Sequence, residues 1–414
     1  AKLLEVIDFS VVGGTLNGDS VAIGTLMPKD QANDTSAPIT IQGKMKESAN
    51  NDYQGLTLDG IAITVYATQN TYEYDSNDNT YDSGAFDALK DLYPVSNSVA
   101  KPATGAAVIN DADASGNKQT YQVTVPQEAM DTQASNISVT IAKSASADAK
   151  FAVAAGNELK QFDVNVTGIK SDNTTAIAVE LFIGKGYTLT NPADVQHLKS
   201  DGTVESLMGS YDSATGFVTF NTTSFSPFAV AVPEMTAVVG EGLSTCYYDT
   251  LADAVAAAKD GDTITLLKDC SSERVNLESK SITIDLNGNT LTSTSAYGVM
   301  FCAKNGHKIT VNGTKEGSKL VGTLMVTHGT DGHIEINGGT YESSQYCPIY
   351  INGSVSTDNS TLTVKNATIT ASNSGSNQDT GCGVYLAGYS TSAFENTTVT
   401  APSTGIEIRA GRLT

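Results

Sequence analysis

The sequence Ile282-Thr283-Ile284-Asp285-Leu286-Asn287-Gly288 decides the fold, because related versions of it return at nearly constant spacing. The copies alternate apolar and polar residues, carry Asn near their ends, and start 27, 25 and 28 residues apart. The later copies are Ile309-Thr310-Val311-Asn312-Gly313, Ile334-Glu335-Ile336-Asn337-Gly338 and Leu362-Thr363-Val364-Lys365-Asn366. A repeat of this period with period-2 alternation indicates strands that stack on their own copies in successive coils.

A second series of short apolar strands is interleaved with the first. Its members are Gly298-Val299-Met300-Phe301, Gly322-Thr323-Leu324-Met325, Pro348-Ile349-Tyr350-Ile351, Gly383-Val384-Tyr385-Leu386 and Gly405-Ile406-Glu407-Ile408. Two interleaved series at one period require a coil that passes several faces in each turn, so residues 235–414 are predicted to form a parallel β-helix. One shared core is predicted to contain Ile284, Val311, Ile336 and Val364.

Two local features fit this β-helix. The Asn at the end of each first-series strand suits a turn with left-handed backbone and a ladder of stacked amides. These positions are Asn287, Asn312, Asn337 and Asn366. Thr250 is predicted to N-cap a helix over 251–259 that Asp260-Gly261 ends, and this capping helix (250–260) would cover the strand edges at the open end.

The first 234 residues are predicted to form two further β domains. Residues 1–93 contain the alternating segment Ala62–Thr68 after the turn Leu58-Asp59-Gly60, with one short helix around Ala85–Leu92. Residues 94–234 contain evenly spaced alternating segments at 121–125, 137–141, 162–166, 217–220 and 228–232. Short strands separated by turn residues favour two antiparallel β-sandwiches of jelly-roll or immunoglobulin-like type, so the fold class is all-β.

The composition excludes several partners. The chain of 414 residues has 45 acidic and 24 basic side chains and a net charge of -21. Nucleic acid and anionic membrane need clustered Lys and Arg, so neither is expected as a partner. No run of apolar residues is long enough for direct membrane insertion. The start at Ala1 and the end inside an apparent strand favour a fragment of a longer protein.

The five cysteines all lie in the last part of the chain, at Cys246, Cys270, Cys302, Cys347 and Cys382. An odd number at long, unequal spacing matches neither a disulfide framework nor a zinc site. They are therefore expected to be reduced and buried as small hydrophobic residues, with Cys302–Cys347 as the pairing to consider.

Two parts of the chain resemble known families. The block from Gly43-Lys44-Met45-Lys46-Glu47 through Gln54–Ile61 to Val65–Glu73 resembles the TasA/camelysin family of secreted proteins of Gram-positive gut bacteria. The third block, opening with Tyr248-Asp249-Thr250-Leu251 and Gly261–Leu267, is similar to pectate-lyase-like right-handed β-helices of Firmicute surface proteins. The resemblance implies a jelly-roll-like N-terminal module and an extracellular, cell-wall or cell-surface location.

A β-helix raises the possibility of catalysis, because many such folds cleave polysaccharides with clustered carboxylates. The acids within strand patterns, Asp285, Glu335 and Glu407, do not collect three on one face, and Arg409 and Arg412 have no evident acidic partner nearby in sequence. The expectation is therefore that the fragment has no catalytic residues and binds no cofactor. A carbohydrate-active enzyme with its site beyond the fragment remains an alternative.

Other motifs have both a possible metal-binding or catalytic role and a plain structural one. His328 and His333 flank Asp331 closely enough for a transition metal, but a solvated turn is preferred. The loop Asp75–Asp82 places oxygen ligands at alternate positions but lacks the Gly and Glu of a calcium loop. Ser224-Phe225-Ser226 resembles a self-cleavage step without its His, and His197 has no neighbouring nucleophile motif. No metal site is predicted.

The leading hypothesis is a non-catalytic adhesin or interaction protein that binds a host glycoprotein, an immunoglobulin or a glycan such as mucin. A fibre or biofilm-matrix subunit that self-associates through a sandwich edge is the other alternative. The longest insertion in the repeat, residues 371–380, is the predicted recognition loop, since polar excursions from a rigid solenoid commonly carry binding. The partner-binding residues are predicted to be Asn373, Ser374, Ser376, Asn377, Gln378 and Asp379.

Overall fold

The computed structural model describes residues 7–12, 15–17, 20–22, 40–46, 87–114, 116–144, 150–225, 227–353, 359–373, 381–409 and 412–413. Within these residues nearly all of the regular secondary structure is β-strand, which confirms the all-β class. The chain divides into two compact units, Ala1–Asn79 and Thr80–Thr414. Among the described residues no helix has the length and apolar character needed to cross a bilayer.

The described part of the first unit consists of two antiparallel strand pairs. Its strands are β1 (Ile7–Val12), β2 (Thr15–Asn17), β3 (Ser20–Ala22) and β4 (Thr40–Met45). β1 pairs with β4, and β2 pairs with β3. The strand predicted at 62–68 and the acidic loop at 75–82 lie outside the described residues, and the resemblance to the TasA/camelysin family stays a prediction.

The second unit begins with one antiparallel sheet of ten strands. They are β5 (Val95–Ala100), β6 (Ala107–Asn110), β7 (Tyr121–Val125), β8 (Asn136–Lys143), β9 (Asn157–Thr167), β10 (Ile177–Phe182), β11 (Ala193–Leu198), β12 (Val204–Asp212), β13 (Phe217–Thr222) and β14 (Pro227–Pro233). Their hydrogen-bonded order is β5-β8-β9-β14-β11-β12-β13-β10-β7-β6. The alternating residues of each strand point into one apolar core, as the period-2 pattern predicted for 121–125, 137–141 and 162–166.

This sheet is a near-barrel, whereas the sequence predicted two separate layers of a sandwich. The long strand β12 joins the halves, because Val204–Gly209 pair with β11 while Ser210–Asp212 pair with β13. Gly209 stands at the change of partner, and a Cβ there would lie 2.7 Å from Val195 Cγ2. A strand that passes from one half to the other turns two layers into one curved sheet, and the terminal strands β5 and β6 come close to each other. The division of the chain into three domains at 93/94 and 234/235 stays a prediction.

The rest of the second unit is a parallel solenoid with one short α-helix, α1 (Leu251–Ala257). Its strands are β15 (Ala237–Val239), β16 (Cys246–Tyr248), β17 (Thr263–Leu266), β18 (Cys270–Ser272), β19 (Val275–Leu277), β20 (Ile282–Asp285), β21 (Thr290–Ser293), β22 (Val299–Ala303), β23 (Lys308–Gly313), β24 (Lys319–Val321), β25 (Thr323–Val326), β26 (His333–Gly338), β27 (Thr340–Ser343), β28 (Ile349–Ile351), β29 (Ser360–Lys365), β30 (Thr368–Ala371), β31 (Cys382–Leu386), β32 (Ser390–Glu395), β33 (Thr398–Thr400), β34 (Thr404–Ile408) and β35 (Arg412–Leu413). The parallel β-helix is thereby confirmed.

Each coil has three faces, so the strands stack in three parallel sheets. Sheet A runs β17-β20-β23-β26-β29-β32-β35, sheet B runs β18-β21-β24-β27-β30-β33, and sheet C runs β19-β22-β25-β28-β31-β34. Sheets A and C are the two predicted series. Sheet B was missed in the sequence, because its strands show one inward apolar residue each and little else. The predicted core column of sheet A is correct, since Ile284, Val311, Ile336 and Val364 are in register and 0% exposed.

The Asn positions follow the prediction only in part. Asn287 and Asn366 adopt left-handed backbone, with φ of 48° and 54°. Asn312 and Asn337 remain inside strands β23 and β26, so the left-handed prediction is wrong for them. Their coils place glycines after the Asn, which can make the turn without a Cβ penalty. Of the predicted amide ladder one step forms, in which Asn337 Nδ2 donates to Asn312 Oδ1 at 3.1 Å, whereas Asn287 Nδ2 donates to the Leu266 carbonyl.

The first coil is covered as predicted by α1. Thr250 Oγ1 accepts a hydrogen bond from the Asp253 amide at 3.1 Å, which is the expected N-cap. The buried face of α1, with Leu251 and Ala254, belongs to the solenoid core. β15 joins the two cores of the second unit, because Ala237 and Val239 face the solenoid interior. The intervening Val238 faces the barrel interior.

Candidate binding site

The predicted recognition loop leaves the solenoid at the corner between sheets B and C. It connects β30 to β31, and its residue Asn373 is described. Asn373 Nδ2 donates to the backbone carbonyl of Gln345 at 2.6 Å, and Gln345 belongs to the equivalent connection one coil earlier. The loop therefore starts from an anchored residue. The other predicted binding residues, Ser374, Ser376, Asn377, Gln378 and Asp379, lie outside the described residues.

A disulfide between Cys347 and Cys382 joins the same two connections. The expectation that the cysteines are reduced is wrong for this pair, and the pairing considered, Cys302–Cys347, does not form. Cys347 lies two residues before Ile349 and Cys382 lies two residues before Val384, and those two residues are register partners. The cysteines thus occupy the same place in adjacent coils, with their Cα atoms 5.5 Å apart.

The sequence contained a signal for this disulfide. Each of the two cysteines stands at the same offset before a second-series strand, in Cys347-Pro348-Ile349 and Cys382-Gly383-Val384. Cys302 instead lies in the middle of β22, in the column that continues with Met325 of the next coil. Its thiol is buried and contacts Thr327 Oγ1.

Four tyrosines form a continuous ladder along this corner. The ring centres of Tyr297 and Tyr346 are 6.4 Å apart, and those of Tyr346 and Tyr350 are 6.2 Å apart. Tyr350 stacks on Tyr385 at 5.0 Å, because the two residues are register partners on the outer face of sheet C. Tyr297 is 67% exposed, while Tyr350 and Tyr385 are largely buried. The ladder therefore has a fixed base and an accessible end.

The tight turn of the intervening coil brings these tyrosines together. Tyr297 and Tyr346 belong to coils two apart, and between them the chain passes from β24 to β25 through Gly322 alone. Gly322 has a φ of 152°, and a Cβ there would lie 2.9 Å from the Gly298 carbonyl oxygen. A side chain at this position would force the two coils apart, so the glycine permits the aromatic contact.

Arg409 completes the corner from the last described coil. Its guanidinium carbon lies 5.7 Å from the centre of the Tyr385 ring, and its Nε donates to Glu407 Oε1 at 2.8 Å. The expectation that Arg409 has no acidic partner is therefore wrong, since alternate residues of a strand lie on one face. We call Tyr297, Tyr346, Tyr350, Tyr385 and Arg409 together the aromatic corner. The side chain of Arg412 lies outside the described residues.

The acids considered for catalysis are placed on different columns and faces. Glu335 forms an ion pair with Lys308 at 2.7 Å, and the hydrogen bond from this ammonium lowers the pKa of Glu335. Asp285 accepts a hydrogen bond from the Asn287 amide, and burial raises its pKa. Glu407 is on sheet C beside Arg409. The structure does not bring these three carboxylates together.

His333 and Asp331, two of the three residues of the possible metal motif, have structural hydrogen-bond partners. His333 Nδ1 lies 2.9 Å from Thr361 Oγ1, and burial lowers the pKa of His333. Asp331 accepts from Asn359 at 3.0 Å, and His328 is exposed. His197 is 0% exposed in the barrel. Across the parts of the chain that the structure describes, no three His, Cys, Asp or Glu side chains are grouped as metal ligands.

The segment considered for self-cleavage leads into a core strand. Phe228 of β14 is fully buried, and its ring stacks on His197 with centres 4.4 Å apart. His197 Nδ1 also lies 2.8 Å from Glu205 Oε1. Ser226 lies outside the described residues. The prediction that this segment forms the last core strand is confirmed, since β14 is the last strand of the ten-stranded sheet in chain order and lies between β9 and β11.

The fold and its corner define a capped β-solenoid protein with one cross-linked, aromatic edge. Comparison of the chain with protein-family models, with curated proteins and with solved structures finds no match.

Proposed function

We propose that this chain is a non-catalytic binding protein of a bacterial cell surface, an adhesin whose aromatic corner and adjoining loop capture a partner. The observation that carries the proposal is the convergence of three features at one corner. These are the tyrosine ladder, the Cys347–Cys382 disulfide and the anchored start of the 371–380 loop at Asn373. The solenoid does not need these three features in order to fold, since its apolar core lies inside the three sheets.

Rigid aromatic residues beside an Arg are well suited to recognition. Tyr and Arg are the side chains most often responsible for binding energy at protein interfaces, because they bury large areas at little conformational cost. A tyrosine face also packs on the apolar face of a sugar ring, while hydroxyl and guanidinium groups hydrogen-bond its hydroxyls. The disulfide ties Cys382, directly after the loop, to the preceding coil, and the hydrogen bond of Asn373 holds the start of the loop, so less entropy is lost on binding.

The chemistry of the corner fits a glycoprotein or its glycan. The net charge of -21 disfavours polyanions, so nucleic acid and anionic lipid are poor partners. Arg409 and Glu407 offer one donor and one acceptor group beside the ring of Tyr385, which suits a neutral or mixed-charge ligand. Host glycoprotein, immunoglobulin and mucin glycan are the partners that we propose.

The location is part of the same proposal. A disulfide in a chain of this kind supports an oxidising, extracellular compartment. The resemblance of residues 43–73 to the TasA/camelysin family favours a Gram-positive surface.

The proposal is tested by capture on a glycan array and from mucus and serum. The wild-type chain is compared with Tyr297→Ala and Arg409→Ala. Residue Tyr297 is 67% exposed, and the side chain of Arg409 is 42% exposed. We expect each variant to lose about tenfold in affinity, the effect of removing an interface residue worth about 1.4 kcal/mol. Because both side chains reach solvent, their removal should leave the fold intact.

The matched control is Tyr389→Ala. Tyr389 is 41% exposed and lies in the same coil as Tyr385, in the connection from sheet C to sheet A. It should bind like the wild type. Equal loss in all three variants, or in none, would contradict the assignment of binding to the aromatic corner. Release of reducing or unsaturated sugars from a pectin or mucin panel would instead favour an enzyme.

A further inference from the structure

A group of charged side chains lies at the end of the barrel that receives β16. Lys143, the last residue of β8, is the register partner of Phe162 in β9. Lys160 and Glu158 follow on the same face of β9, since alternate residues share a face. Asp87 approaches from the segment before β5, and Tyr247 of β16 faces the same interior. Two amines and two carboxylates thus share one end of the barrel.

Asp87 is held with one carboxylate oxygen directed at Lys143. Its Oδ1 accepts a hydrogen bond from the Leu89 amide at 2.9 Å, which fixes the side chain. Its Oδ2 contacts the Nζ of Lys143. The side chains of Lys143 and Asp87 are only 19% and 29% exposed, and Phe162 beneath them is fully buried. Amine and carboxyl group are therefore pre-positioned in a largely water-excluded place.

The second pair surrounds the first with opposite charges. Glu158 Oε1 lies 2.7 Å from Lys160 Nζ, and that ammonium lies 5.0 Å from the centre of the Tyr247 ring. The carboxylate of Glu158 also acts electrostatically on Lys143, and Lys160 acts on Asp87. A carboxylate near the amine and an ammonium near the carboxyl group are the groups that an acyl condensation requires.

We propose that Asp87 and Lys143 condense to an intramolecular isopeptide bond, which joins the segment before β5 to the end of β8. The ammonium of Lys143 first gives one proton to the carboxylate of Asp87, which leaves a neutral amine and a neutral acid. Nζ then attacks Cγ of Asp87, and Lys160 stabilises the developing oxyanion. Glu158 carries the second amine proton to the departing hydroxyl group, one water leaves, and the amide forms.

The surroundings favour this direction of the reaction. Burial lowers the pKa of the Lys143 amine, so its reactive neutral form is more accessible than in water. Burial also tends to raise the pKa of Asp87, but the Lys143 ammonium outweighs it and the net shift is downward, as expected of the ion pair before reaction. Groups held in contact react with effective molarities of about 10⁵ M or more. This advantage offsets the unfavourable free energy of condensing an acid and an amine to an amide with loss of water.

A second ion pair in the barrel serves as an internal control. Lys118 contacts Glu180, but Glu180 lies on the outer face of β10 and also accepts from Gln122 at 3.0 Å. The ammonium of Lys118 is 4.4 Å from the centre of the Phe217 ring. This pair also combines an amine with a carboxylate, but it lies on the outer face of the sheet and not in the barrel interior. It should therefore remain an ordinary ion pair.

The test is the intact mass of the denatured, reduced chain. The isopeptide bond predicts a mass about 18 units below that of the sequence, the loss of one water. Asp87→Ala and Lys143→Arg should each have the full mass of their own sequences, whereas Lys118→Arg should keep the loss. Tandem mass spectrometry should find a branched peptide that contains both Asp87 and Lys143.

The outcomes separate cleanly. A wild-type chain with the full sequence mass overturns the proposal, and that measurement does not depend on any variant folding. A loss of about 18 units that persists in Lys143→Arg places the bond elsewhere and also overturns it. Glu158→Gln keeps Asp87 and Lys143 but should form the bond at least tenfold more slowly. Newly synthesised variant chains should therefore retain the full sequence mass for longer than newly synthesised wild-type chains, and an unchanged rate would refute the role of Glu158. The result is independent of the proposed binding function.

Discussion

Removal of the Cys347–Cys382 disulfide should destabilise the solenoid by about 4 kcal/mol. The bond closes a loop with a sequence separation of 35 residues. The chain-entropy treatment gives about 3 kcal/mol for a loop of 15 residues and about 4.7 kcal/mol for one of 100, so this loop falls between them. Both cysteines are nearly fully buried, so replacement of the pair by alanine also removes the contacts of two buried sulfur atoms, and reduction of the wild type isolates the effect of the bond.

The assay is urea unfolding followed by far-ultraviolet circular dichroism. The double variant Cys347→Ala/Cys382→Ala should show a lower midpoint and a somewhat steeper slope, since the unfolded chain without the cross-link exposes more surface. Wild-type chain in reductant should behave in the same way. Cys270→Ala is the control, because Cys270 is a free, half-buried cysteine. This variant keeps the disulfide, so its midpoint should fall in reductant as the wild type's does, whereas the midpoint of the double variant should not respond to reductant.

Two results would refute this reasoning. One is an identical midpoint for the oxidised wild type and the double variant. The other is an intact mass that does not rise by about two units on reduction, which would mean that the bond is absent. The double variant should also bind the partner less tightly than the wild type, because the disulfide fixes the residue at which the recognition loop returns to the solenoid. A loss of binding without any loss of stability would assign the bond a purely local role.

Three further outcomes follow from the solenoid and its loop. Ile336→Asp should cost several kcal/mol in thermal unfolding, because the side chain is 0% exposed and the charge would be unpaired, whereas Ile336→Val should cost about 1 kcal/mol; equal melting of both would contradict the register. Thr250→Ala should cost about 1 kcal/mol through loss of the hydrogen bond to the Asp253 amide, and Thr250→Ser should restore most of it, as measured by urea unfolding. Replacement of residues 372–379 by a Gly-Ser link should leave the melting temperature nearly unchanged while reducing capture of mucus or serum partners. Unimpaired capture would remove the loop from the proposed site.

Local sequence patterns correctly predicted the structural role of a residue where that role depends on near neighbours in sequence or on a repeat. Thr250 caps its helix because the acceptor and the donor are three residues apart. Ile336 is buried because alternate residues of a strand share a face and every coil repeats that choice. The same reasoning failed where the partner lies across the fold. Strand β12 changes neighbours at Gly209, and the sequence carries no mark of which strands it will join.

By itself, the sequence determined that this protein is all-β, that its C-terminal half is a capped parallel solenoid, and that one insertion interrupts the repeat. Period and alternation are properties of the chain, and burial of one face in every coil follows from them. Only the tertiary structure decided the rest. Stacking of coils with unequal turns placed Cys347 against Cys382 and aligned Tyr297 with Tyr346 and Tyr350. Pairing of β5 with β8 likewise brought the segment before β5, with Asp87, to Lys143, because contacts between distant segments are set by how whole elements pack and not by spacing along the chain.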